Sequence, residues 1–220
     1  MATQMQAELI DHMGTDESIV RAARVSTGTD LEAATPQKQK GLIGYLVKHL
    51  HTSPLESCVV TFRVTAPLFV RDQWVRHRTM SYSVKSLRFG KAEPEFYIAP
   101  KERPLVNAGS GAHPDLVQSA DAATYLTYHS VTKDAYTASW DAYKALLDAG
   151  VAEELARAVL PSGLFTSFYV TANLWNWLQF LDKRVESKSN KPQWEIEYLA
   201  LQIKDHLTNL FPYTMEAWSD

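Results

Sequence analysis

The stretch Cys58-Val59-Val60-Thr61-Phe62-Arg63-Val64-Thr65-Ala66 decides the fold class. Cys58, Val60, Phe62, Val64 and Ala66 share one face, and Val59, Thr61, Arg63 and Thr65 the other. Side chains of an extended chain alternate with period two, so this is a half-buried strand. Cys58 lies on its apolar face and reads as a small buried hydrophobe rather than a nucleophile. Pro67 ends the strand and suits the first turn of a helix, where its missing N–H costs nothing. A helix running on through His77 puts Gln73, Arg76 and His77 on one face. The segment from Arg76 to Arg88 then holds three arginines, Lys85, His77 and three serines, with no acid. Arginine forks, serine hydroxyls and loop amides are what a phosphate needs.

Toward the N-terminus, Ala7 to Met13 reads as a weak first strand. Gly14-Thr15-Asp16 is a turn and cap before a helix from Glu17 to Val25, which Ser26-Thr27-Gly28-Thr29-Asp30 breaks. Pro36 opens a second helix to Leu50, with Leu42, Ile43, Leu46, Val47 and Leu50 on its apolar side. His49, His51 and Glu56 match no common zinc spacing, so no metal site is expected. Beyond the basic segment, Pro94 to Pro114 is an irregular surface excursion. Ala120 to Ala149 carries Tyr125, Tyr128, Tyr136, Trp140 and Tyr143 at helical spacing, a packing stripe that Gly150 stops. Glu153 to Leu160 is a short helix, where Arg157 has Glu153 one turn away as a surface ion-pair partner. Leu164 to Ala172 is a second convincing strand. Asn173 caps the next helix, and Pro192 opens the last. Strands and helices do not alternate as βαβ units. The expectation is α+β: a small, mostly antiparallel sheet packed by long helices, as a single domain over residues 1–220.

The 220 residues are 45% hydrophobic, enough for one sizeable core. Net charge is −3, which argues against a binder of polymeric nucleic acid. The basic segment is therefore local, as at a site for a small anion. No run is long enough to span a bilayer and none resembles a leader, so a cytoplasmic protein is expected. The single cysteine excludes an intramolecular disulfide and a cysteine zinc site.

Arg76-His77-Arg78, seven residues, then Ser86, with Arg88 beyond, resembles the signature of the flavin-dependent thymidylate synthases. Other segments follow the same family in order. They are Arg21-Ala22-Ala23-Arg24-Val25-Ser26, His51-Thr52-Ser53-Pro54-Leu55-Glu56, Gln73-Trp74, Ala156 to Pro161, Asn173, Gln179, Arg184 and Gln193-Trp194-Glu195-Ile196. The resemblance implies a homotetramer with FAD at subunit interfaces. It implies dUMP as substrate, methylenetetrahydrofolate as carbon donor and NADPH as reductant. Ser26, His51, Ser53, Glu56, Arg76, His77, Arg78, Asn173 and Gln179 then contact flavin. Gln73, Arg76, Ser86, Arg88, Arg157 and Arg184 hold the nucleotide, so Arg157 moves from surface pairing to a neighbouring subunit's site. Arg184 and Ser86 are the residues placed closest to the chemistry.

Ordinary thymidylate synthases activate uracil with a cysteine thiolate. Cys58 has no basic motif beside it to lower its pKa, so a flavin is the fitting source of electrons. The chain also departs from the family. Ser83-Val84 stand where Asn-Glu is usual, Lys85 replaces an apolar residue, and Phe89 replaces Tyr. Trp175 replaces an arginine, the histidine before Gln193 is absent, and Lys188 to Pro192 lengthen a connection. These changes keep open C5 methylation or hydroxymethylation of another pyrimidine nucleotide, such as dCMP. A single-stranded nucleic-acid module is the remaining alternative. Arg184 only donates hydrogen bonds, which suits the uracil carbonyls, and Val84 offers no acceptor for a cytosine amino group. The reading is dUMP over dCMP.

Overall fold

The computed structural model describes residues 4–26, 28, 35–110, 115–118, 121–187 and 190–219. Thr27, Thr29 and Asp30 of the expected helix break, Gly111, Pro114 and Ala120 of the excursion and the helix start, and Lys188 of the lengthened connection lie outside them. In chain order the elements are β1 (Gln6–Met13), α1 (Asp16–Val25), α2 (Pro36–Lys48), α3 (Ser53–Glu56), β2 (Val59–Pro67) and α4 (Leu68–Trp74). There follow β3 (Ser81–Val84), β4 (Val106–Asn107), β5 (Leu116–Val117), α5 (Ala122–Asp148) and α6 (Glu153–Ala156). The chain closes with β6 (Phe165–Asn173), α7 (Leu174–Arg184), α8 (Trp194–Leu210) and α9 (Pro212–Ser219). The class is α+β, as expected. The main sheet runs β1-β2-β6-β3, with β1/β2 and β3/β6 antiparallel. No helix among the described residues is long and apolar enough to cross a membrane.

The described residues group into two compact units. The larger comprises 4–66, 70–84 and 167–219, and the smaller 67–69 and 85–166. In the larger, the alternation of β2 is realised in full: Cys58, Val60, Phe62, Val64 and Ala66 are completely buried. Phe168, Val170 and Ala172 of β6 do the same. On the opposite face, Thr61 and Thr171 hydroxyls meet at 2.9 Å across the strands. α7 and α8 cover the apolar face with Trp177, Leu178, Leu181, Ile196, Leu199 and Ile203, all fully buried. Each such aliphatic side chain contributes on the order of 1.5–3 kcal/mol by leaving water. Trp177 also donates from Nε1 to the Val60 carbonyl at 3.1 Å, fastening helix to strand.

The smaller unit has a core of its own, formed by Ala92, Tyr143, Ala156 and Leu164. The aromatic stripe of α5 is packing, and it also ties down the excursion. Tyr143 Oη accepts from the Ala92 amide at 3.0 Å, and Tyr128 Oη from the Ala99 amide at 2.9 Å.

Several boundaries differ from the sequence reading. The helix after Pro67 stops at Trp74, so Arg76 and His77 sit in a turn rather than on the Gln73 helical face. β3 is a strand that the reading lacked. The segment Glu153–Leu160 divides into α6 and a 3-10 turn, Arg157–Val159, in which Arg157 Nε donates to the Glu154 carbonyl at 3.2 Å. The last helix begins at Trp194, and a further helix, α9, follows it.

Candidate functional site

The basic segment follows from β2, α4 and β3. α4 delivers Gln73 and Trp74, and residues 75–80 turn back. β3 then pairs with β6 from Ser81↔Thr171 to Val84↔Phe168. Tyr82 on β3 closes the turn: its hydroxyl lies 2.9 Å from the Trp74 carbonyl and 2.8 Å from that of His77. Burial pushes its phenol up to about 12, so it remains a donor. β6 runs into α7 through Asn173, whose side-chain oxygen accepts from the Asn176 amide at 2.9 Å. That is the expected N-cap. α7 in turn carries Gln179, which is exposed, and ends with Arg184.

Trp74 locks these pieces together. It is fully buried, stacked on Phe180 at 4.7 Å, while His77 meets Phe180 edge-on at 4.9 Å. This brings Arg184 against the turn. Its Nε–H donates to His77 Nε2 at 3.0 Å, and Nη2 donates to the Gln73 carbonyl at 3.3 Å. An imidazole nitrogen that accepts is unprotonated, so His77 is neutral with its proton on Nδ1. Burial, then the Arg184 charge, pull His77 down to about 4. Burial lowers Arg184 too, but a guanidinium stays charged. The Gln73 amide donates to Gln193 Oε1, and Gln193 donates to the buried Glu195 at 2.8 Å.

The signature arginines behave differently from His77. Arg76 and Arg78 are exposed, with no side-chain partner among the described residues. Elsewhere on this unit, Ser53 opens α3, and Glu56 accepts from the Thr52 hydroxyl at 2.8 Å. The His51 ring lies 5.5 Å from Tyr45. Ser26 is the C-cap of α1, donating to the Ala23 carbonyl at 2.9 Å. All nine residues assigned to flavin, with Gln73 and Arg184, therefore belong to the larger unit.

Ser86, Arg88 and Arg157 belong to the smaller one. Ser86 Oγ accepts from the Arg88 amide at 3.2 Å, and Arg88 pairs with Glu154. The roles of Tyr82, Gln193, Glu195 and Glu154 were absent from the sequence reading. Gln193 and Glu195 stood in a matched segment, the one signal available for them.

A family model described as thymidylate synthase complementing protein matches residues 8–213. The chain belongs to the flavin-dependent thymidylate synthases. The family member of Thermosipho africanus is 41% identical, covering 96% of this chain and 89% of that protein. The one from Streptomyces avermitilis is 37% identical, covering 99% and 92%. Among solved structures, a UMP/dUMP methylase, PolB from Streptomyces cacaoi, superposes with a TM-score of 0.90 at 32% identity, over 99% of this chain and 94% of that one. Structures of that protein hold 5-Br UMP or 5-Br dUMP. This chain is a flavin-dependent thymidylate synthase-like methyltransferase.

The thiol of this synthase is inert by environment. Cys58 is fully buried, and burial raises its pKa, with a smaller rise from Asp16 against a lowering by Ser57. Gly14, at φ +93°, packs on it so closely that a Cβ there would lie 2.5 Å from Cys58 Sγ. Cys58→Ala is expected to keep turnover and to cost about 1 kcal/mol in denaturant unfolding. Loss of turnover in a folded, flavin-loaded variant contradicts this.

His77 gives a pH signature. Its folded pKa lies below the ordinary 6.5, so the unfolded chain takes up a proton that the folded one refuses. Stability is full above about 6.5 and declines as pH falls to about 4, by at most roughly 1.4 kcal/mol per unit. Melting curves between pH 8 and 4 should be less steep with pH for His77→Gln. Identical slopes would remove His77 as the cause.

Proposed function

We propose that this enzyme methylates C5 of dUMP to give dTMP, with FAD as cofactor, methylenetetrahydrofolate as carbon donor and NADPH as reductant. It works as a cytoplasmic homotetramer with sites at subunit interfaces. Its two units form one family domain, in keeping with the continuous match over residues 8–213. The observation that carries the substrate reading is Arg184, a charged guanidinium fixed by neutral His77 and the Gln73 carbonyl. Such a group can only donate, and it suits negative charge growing on a uracil carbonyl oxygen.

The residues fit the cofactor. Arg76 and Arg78 are exposed cations without side-chain partners among the described residues, as a pyrophosphate requires. His51, Ser53, Glu56, Ser26, His77, Asn173 and Gln179 supply further polar contacts. When bound, the flavin supplies hydride to the pyrimidine ring. Ser86, Arg88 and Arg157 hold the nucleotide, with Gln73 and Arg76. Ser86 has no base hydrogen-bonded to it among the described residues, and its oxygen is engaged by the Arg88 amide. It therefore positions the nucleotide rather than attacks it. Ser86→Ala should lower kcat/KM by about tenfold, the value of one hydrogen bond, without abolishing turnover. A covalent nucleotide adduct on Ser86 contradicts this.

The PolB comparison supports a second reading, in which UMP is also accepted. The deciding experiment reduces the flavin anaerobically, adds methylenetetrahydrofolate, and offers dUMP, UMP and dCMP separately. Flavin oxidation with a methylated dUMP supports the proposal, and methylated UMP adds the second reading. Turnover with dCMP alone, or a hydroxymethyl product, overturns it.

A further inference from the structure

Glu154 takes no part in the reaction described above, yet it touches both arginines of the smaller unit assigned to the nucleotide. Its carbonyl oxygen accepts from Arg157 Nε at 3.2 Å. Its Oε2 accepts from Arg88 Nε and from Arg88 Nη2, each at 3.1 Å. The two contacts have different consequences. The Arg157 contact uses one N–H, and both terminal amino groups have no partner among the described residues. The Arg88 contact uses the Nε/Nη2 edge, the side of a guanidinium that forks onto carboxylates and phosphates.

We propose that Glu154 is a placeholder for the nucleotide phosphate, occupying the Arg88 fork and yielding it on binding, so that it sets nucleotide affinity. This rests on the nucleotide-binding role of Arg88 proposed above. The arrangement suits exchange. The Arg88 and Glu154 side chains are 55% and 50% exposed, so the pair is weak and easily displaced. A phosphate monoester brings nearly two charges and three acceptor oxygens against one carboxylate. Arg88 keeps its place when Glu154 leaves. Its Cζ lies 5.2 Å from the centroid of the exposed Phe89 ring, and its amide is held by Ser86 Oγ.

The test measures binding to the FAD-loaded protein by equilibrium dialysis at low salt, with dUMP and with deoxyuridine, which lacks the phosphate. Glu154→Gln should tighten dUMP binding roughly two- to fivefold, the range an exposed ion pair is worth, and leave deoxyuridine unchanged. The gain should shrink at high salt and vanish in an Arg88→Ala background. Unchanged or weaker dUMP binding by Glu154→Gln, at an unchanged melting temperature, overturns the placeholder role while Arg88→Ala still weakens dUMP. If Arg88→Ala binds dUMP like the wild type, the nucleotide role of Arg88 has failed and the inference falls with it.

Discussion

Arg184→Ala is expected to lower kcat for dUMP by about 10²–10³, the cost of removing one fixed donor to a developing oxyanion. The reason is how few of its donors the protein consumes. Nε–H goes to His77 and one Nη2 hydrogen to the Gln73 carbonyl, and the Nη1 amino group has no partner among the described residues. Those two contacts are fixed before substrate arrives, so the charge is in place without reorganisation. An interaction made mainly in the transition state reduces kcat and kcat/KM together, with little change in KM. Arg184→Lys should recover little, because an ammonium cannot span His77 Nε2 and the Gln73 carbonyl in one plane. His77→Gln keeps an acceptor for Arg184 Nε and should lose less than His77→Leu. Single-turnover flavin oxidation separates these effects from NADPH reduction. Wild-type turnover in Arg184→Ala would remove it from the chemistry.

What the sequence discloses here depends on whether a feature is local. β2 was legible because every second residue is apolar and all of those are buried. The Asn173 cap was legible for the same reason: donor and acceptor lie three residues apart. β3 was not. Ser81-Tyr82-Ser83-Val84 alternates over only four residues, with Tyr82 and Val84 half-buried on one face, and its extended state comes from pairing with β6. The early end of α4 has a related cause, since the Tyr82 hydroxyl draws in the carbonyls of Trp74 and His77 across the turn. α9 was missed because Pro212 follows α8 closely, while the group that caps it lies at the other end of the chain. At the site, the signature gave residue types and the family resemblance gave roles. Neither disclosed that His77 faces Arg184, a contact across 107 positions, while Arg76 and Arg78 remain exposed. Glu154 was hidden in plain view, because a glutamate beside an arginine reads as a solvated helix surface.

The largest stability effect is expected at Asp16, which the sequence marked only as part of a turn and cap. Asp16 is 6% exposed in the first turn of α1, and its carboxylate caps α9 from a distance. Oδ2 accepts from the Tyr213 amide at 2.7 Å, and Oδ1 from the Thr214 amide at 3.2 Å and the Thr214 hydroxyl at 2.6 Å. Thr214 is fully buried, so no water replaces a lost partner there. α9 packs on α2 and α1, so the cap joins the two ends of the chain. Asp16→Ala strands a hydroxyl and two amides at once and should cost about 2–4 kcal/mol in urea unfolding. Asp16→Asn should cost less. It keeps an acceptor for Thr214 but turns an NH₂ toward the Tyr213 amide, two donors face to face. Thr214→Val, which loses one hydrogen bond at similar volume, should cost least. The pH dependence separates Asp16 from His77. Burial raises the Asp16 carboxyl above its ordinary value, and the three hydrogen bonds only partly oppose this. The folded chain therefore binds this proton more readily than the unfolded one, and stability from this group rises as pH falls through its folded pKa. That slope is opposite in sign to the His77 slope and should disappear in Asp16→Asn. An Asp16→Ala variant as stable as the wild type would show that α9 does not depend on this cap.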